Sequence, residues 1–144
     1  AVASAAGYIV DGQTTDAPII GVLNGIFYNA ATTLKPTFAN FYTQVTPANS
    51  EDIDAFVFDS PTQQYVVATD DAVTQAGFLE TYDMNTSAGN DTTGKSTATL
   101  DIGDTSADAA TFRLLRVAED PENEDITAAY ASVVVVPNLI ELQS

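Results

Sequence analysis

The stretch Pro18–Tyr28, PIIGVLNGIFY, decides how the chain is read. It is apolar on both faces, and Gly21 and Gly25 interrupt it as bends or bulges. A central strand of a barrel has this pattern. Outward from it, short runs of Thr, Val, Ile, Phe and Tyr alternate with Gly, Pro, Asn and Asp. Before it lie the apolar run Gly7–Val10 and the turn signal Asp11-Gly12. After it, the polar turn Asn29–Lys35 leads to a strand over Thr37–Val45 and a loop over Pro47–Asp52. Ile53–Phe58 and Gln64–Ala68 flank Ser60-Pro61 at the spacing of a hairpin.

The second half continues in the same way. Asp70–Gly77 is the best candidate for a helical turn, with Asp70 or Asp71 as cap and Gly77 as terminator. Phe78–Met84 reads as a strand and Asn85–Lys95 as a long exposed loop. Ser96–Ile102 alternates apolar Ala98, Leu100 and Ile102 with Thr97, Thr99 and Asp101, the pattern of a half-exposed strand. Gly103–Ala109 is a loop, Phe112–Val117 a strand, Glu119–Asp125 an acidic loop, and Ala128–Val136 a buried strand closed by Pro137-Asn138. About eight short strands at this spacing predict an all-β chain. The expected form is a single small β-barrel or β-sandwich over residues 1–144, with short helical turns, long polar loops, and residues 1–6 and 138–144 as extended arms. Ile53, Ala55, Phe56, Val57, Phe112, Leu114, Val134 and Val136 are its expected core.

Composition bounds the chemistry. Twenty acidic residues face four basic ones, Lys35, Lys95, Arg113 and Arg116, for a formal net charge of −16. Phosphate binding needs clustered Lys and Arg, so nucleic acid and anionic membrane are excluded as partners. With no cysteine there is no disulfide and no thiolate chemistry. With no histidine the commonest general base and the commonest metal ligand are missing.

Paired carboxylates at Asp70-Asp71, Glu51-Asp52 and Glu119–Asp125 sit in loop-like polar stretches, where twenty acids must be placed somewhere. Asp120, Glu122 and Glu124 open like a calcium loop. The positions that would then need Gly and Glu hold Asp125 and Ala131, so the EF-hand pattern fails and only an irregular calcium site stays open. Gly94-Lys95-Ser96 matches the end of a phosphate loop, but no helix pattern follows, since Ser96–Ile102 alternates as a strand. The chain is therefore read as not an enzyme, with no catalytic residue, no cofactor and no metal. Phe38, Phe41 and Tyr42 read first as core and rim packing; the sharper alternative is an exposed anchor that docks another protein.

Four stretches resemble small virion proteins of tailed phages, of the marine and cyanobacterial type. They are KPTFANFY (Lys35–Tyr42), DIDAFVFDSP (Asp52–Pro61), TTGKSTATLD (Thr92–Asp101) and AEDPENEDITAAYASVVV (Ala118–Val135). The resemblance implies a capsid decoration or cement protein on the outer surface of the virion. Its partner would be the major capsid protein, with further copies of itself as a second contact. Strong negative charge suits that outer position, because an inner one faces packaged DNA. Attachment is expected through apolar and β-edge contacts at the ends of the chain, with Val2, Tyr8, Leu139, Ile140 and Leu142 as the contact residues. The alternative is a host-surface or carbohydrate-binding module of a head fibre, with Tyr8, Tyr82 and Tyr130 lining a groove.

Overall fold

A computed structural model of the chain describes residues 2–3, 8–10, 18–85, 89–90, 92–105, 110–121 and 125–139, with backbone alone at 2–3 and 104–105. The fold is all-β. Its strands are β1 (Val2–Ala3), β2 (Ile9–Val10), β3 (Val22–Asn29), β4 (Pro36–Ala39), β5 (Asp54–Phe58), β6 (Tyr65–Ala68), β7 (Thr81–Asn85), β8 (Thr99–Thr105), β9 (Phe112–Val117) and β10 (Ser132–Pro137). Among the described residues the helical turns are two short 3-10 segments, Ala48–Ser50 and Gln75–Gly77. The strands form a five-stranded sheet in the order β6-β10-β9-β7-β8, a three-stranded sheet in the order β4-β3-β5, and the pair β1-β2. All ladders are antiparallel.

The five-stranded sheet carries the core. Ile19, Val73, Tyr82, Leu100, Phe112, Leu114, Val133 and Val135 form one buried cluster. The sheet curls until its edge strands approach at the parallel bridge Thr69–Leu100, where the Asp70 N–H donates to the Leu100 carbonyl at 3.0 Å. One carboxylate oxygen of Asp70 then accepts the Ile102 N–H at 2.9 Å. The rest of that seam has no strand ladder between β6 and β8, so the sheet is curled but open, and of the two expected all-β forms, barrel or sandwich, the closed barrel is not the one found.

Bulges explain the runs that strict alternation does not. In β9, Phe112 and Leu114 are buried on the inner face. The register with β10 shifts between Val134 and Val135, which pair with Arg116 and Leu114, so Leu115 is the extra residue. After this reset Val117 lies opposite Val133. β10 is paired on both edges, and Val133, Val134 and Val135 are all buried.

Polar groups fix the strand ends. Asp83 is buried, and one of its oxygens accepts both the Thr111 N–H and the Thr111 hydroxyl at 3.0 Å. A buried carboxylate persists only with such partners. The Tyr82 hydroxyl donates to the Gly77 carbonyl at 3.0 Å. A Cβ at position 77 would lie 2.6 Å from that hydroxyl, so glycine is needed there. Burial, and then the charge of Glu80, push the Tyr82 hydroxyl above its ordinary pKa.

Several expectations are corrected. Ile53–Phe58 and Gln64–Ala68 do not pair with each other: β5 pairs with β3, and β6 with β10, in different sheets. Among the expected core residues, Phe112, Leu114 and Val134 are buried. Ile53, Val57 and Val136 are only half-buried, and Ala55 and Phe56 are exposed; β5 is an edge strand, and Phe56 lies on a face that no other described strand covers. The strand expected over 37–45 stops at Ala39. Asp70 and Asp71 cap no helix; the 3-10 turn follows Thr74, and Asp70 serves the β8 backbone instead. The strand β8 extends to Thr105, into the segment expected as loop.

Two outcomes follow from this distribution of burial. Leu114→Ala, at a site with no exposed surface, should lower unfolding free energy by about 2–5 kcal/mol in denaturant melts. Phe56→Ala, at a site 47% exposed, should cost less than about 1 kcal/mol. Tyr82 sets a pH dependence. Its hydroxyl is neutral in the fold to a higher pH than in the unfolded chain. Its contribution is therefore complete below about pH 10, the unfolded value, and is lost as pH rises through the folded value. Chemical melts should show that alkaline loss in the native protein and a shallower one in Tyr82→Phe.

Candidate functional site

The three-stranded sheet presents two different faces. Side chains directly opposite one another in a ladder share a face. Phe27 lies opposite Phe38 on one side and Asp54 on the other, and Gly25 lies opposite Phe56. Alternation along β5 places Asp54, Phe56 and Phe58 together. One face thus gathers Phe27, Phe38, Phe56 and Phe58, which are 37%, 59%, 47% and 50% exposed. Isolated exposed apolar residues are ordinary, but a contiguous set marks a contact surface.

The rings are arranged rather than loose. Those of Phe38 and Phe56 are 6.0 Å apart at a 45° tilt, within the range of favourable aromatic pairing. Gly25 makes this possible. A Cβ there would lie 2.6 Å from Cζ of Phe38 and 2.8 Å from the Ala39 carbonyl oxygen. The Phe38 ring therefore crosses the gap that Gly25 leaves in β3 and reaches Phe56 on the far strand. The register shift between Leu23 and Gly25, with exposed Asn24 as the extra residue, brings Gly25 opposite Phe56.

The opposite face of the same sheet borders a cleft of about 620 Å³. Leu23, Ile26 and Ala55 contribute its apolar side, Tyr8 and Tyr42 open onto it, and Glu51 and Asp52 supply carboxylates. The Tyr8 hydroxyl donates to Asp52 at 3.5 Å, and the Asn29 amide donates to Glu51 at 3.1 Å. Such a lining suits a ligand with an apolar body and hydrogen-bond donors.

The residues expected to make contact fall in different places. Val2 pairs with Val10 in the β1-β2 ladder. Tyr8 is exposed at the mouth of the cleft. The Leu139 carbonyl accepts the Ile19 N–H at 3.1 Å, and Asn138 is bonded to Thr111, Ala110 and Arg113, so the body reaches Leu139. Ile140 and Leu142 lie outside the described residues. Of the other tyrosines proposed for a groove, Tyr130 is exposed, whereas Tyr82 is buried against Gly77 and cannot line one. Phe38 and Tyr42 are exposed rather than packed inside, and the Phe41 ring lies over Gly94, whose φ is +68°.

Among the described residues no group of three or more acidic side chains is arranged to hold a metal ion. Glu122 and Glu124, read as calcium-loop positions, lie outside them. Asp125 organises its own turn by accepting the Thr127 hydroxyl and N–H, which hold its carboxyl below the usual range. No protein-family model, no curated protein and no solved structure matches the chain.

The geometry at Gly25 yields a direct test. Gly25→Ala should displace the Phe38 ring and strain the β3-β4 ladder, costing about 1–3 kcal/mol in denaturant melts. In the same variant, nuclear Overhauser contacts between the Phe38 and Phe56 rings should disappear.

Proposed function

We propose that the chain is a structural, non-enzymatic virion protein that decorates or cements the outer surface of a phage capsid by binding the major capsid protein. The observation that carries this reading is the exposed sheet face of Phe27, Phe38, Phe56 and Phe58. Leaving four aromatic rings wet forgoes a large hydrophobic gain, and docking on another protein recovers it. Two of the virion-like stretches, KPTFANFY and DIDAFVFDSP, hold Phe38, Phe56 and Phe58 of this face. The acidic surface keeps unbound copies soluble and favours the outside of a DNA-filled shell.

A second reading is a carbohydrate-binding module of a head fibre. The cleft favours it, since Tyr8 and Tyr42 offer ring faces and Glu51 and Asp52 accept hydroxyl hydrogens. Co-sedimentation separates the two. The purified chain should bind bare capsids of the phage that encodes it, saturably and in fixed ratio to the major capsid protein. Absence of binding to capsids, together with retention on host-surface polysaccharide, assigns the chain to the second reading.

A further inference from the structure

We propose that the phenylalanine face of β3, β4 and β5 seats on a protein surface whose apolar patch is bordered by lysine or arginine. This rests on the docking reading above and adds the chemistry of the partner.

Charge decides which occupant fits. The face carries its own carboxylate: Asp54 lies directly across from Phe27 and in line with Phe56 and Phe58. Asp59 follows Phe58 at the end of β5. The aromatic patch is thus flanked by acid at both ends of its edge strand. Two of the basic residues are engaged elsewhere. Arg113 donates to the Leu79 carbonyl and to Asn138, and Arg116 pairs with Glu119. A second copy is a poor occupant, because it brings the same carboxylates to the same face and a further net charge of −16. A nucleic acid or an anionic bilayer is excluded on the same ground. A protein patch with a basic border buries the four rings and neutralises Asp54 and Asp59 together.

The face is also prepared for such a contact. The Phe38 ring is held over Gly25 and against Phe56, so little side-chain freedom remains to be lost on binding. Buried aromatic anchors then set the affinity, while the carboxylates at the edge set orientation and encounter rate.

The test measures binding of the purified chain to bare capsids at about 50 and 500 mM salt, for the native sequence, Phe38→Ser and the double variant Asp54→Asn/Asp59→Asn, with thermal melts as a folding control. Phe38→Ser should weaken binding at least about tenfold at both salt concentrations, the loss of a buried anchor. The double variant should weaken it by about threefold to tenfold at low salt and match the native chain at high salt, as screened surface pairs do. Tighter binding of the double variant would show an acidic border on the partner and overturn the proposal. Normal binding by Phe38→Ser would also overturn it, while leaving capsid attachment intact. A probe without capsids keeps the two failures apart. An amphipathic helical peptide with a leucine stripe bordered by lysines should shift the amide signals of Phe27, Phe38 and Phe56, and its glutamate-bordered counterpart should not. If the two peptides behave alike, the proposed partner chemistry is wrong whatever the capsids show.

Discussion

Burial of Leu100, Leu114, Val133 and Val135 on the inside of one curled sheet is the interaction on which the rest of the molecule depends. Each of these side chains is at most 1% exposed. With no disulfide available, their removal from water is the main force opposing chain entropy. The curl matters as much as the residues. It brings β8 to the end of β6, so one layer of strands wraps its own interior, and Ile19 and Val73 fill in from outside the ladders.

That arrangement leaves the three-stranded sheet differently placed. Its aromatic side chains are as hydrophobic as those of the core, yet they face outward. The sheet contributes Ile26 to the buried set, while its four phenylalanines stay exposed. Stability and contact are thereby divided between two sheets. Substitutions on the phenylalanine face can alter docking with little effect on folding, and substitutions in β9 or β10 do the reverse. Salt bridges contribute little to either: Arg116–Glu119 is the one found among the described residues, and both partners are solvent-exposed.

The sequence disclosed the class of fold and most strand positions, because short apolar runs between turn residues have one physical explanation. It did not disclose pairing. Ile53–Phe58 and Gln64–Ala68 look like a hairpin by spacing, but the chain crosses between sheets after Phe58, and local pattern carries no trace of that. Nor could alternation separate a strand buried on two sides from one with an apolar docking face. IDAFVF satisfies both descriptions, and Asp54 within it was the one available sign of water. The bulge at Leu115 and the carbonyl that receives the Tyr82 hydroxyl are products of tertiary contact. Phe38 was legible as an anchor only as an alternative to packing, since the space over Gly25 is created by the neighbouring strand.

Amide hydrogen exchange of the free and capsid-bound chain tests the division of labour most directly. In the free protein, 112–117 and 132–137 should be the slowest to exchange, with 54–58 markedly faster. On the capsid, added protection should concentrate in 22–29, 36–39 and 54–58. Protection gained instead along 65–68 and 132–137, with the phenylalanine sheet unchanged, would contradict the account.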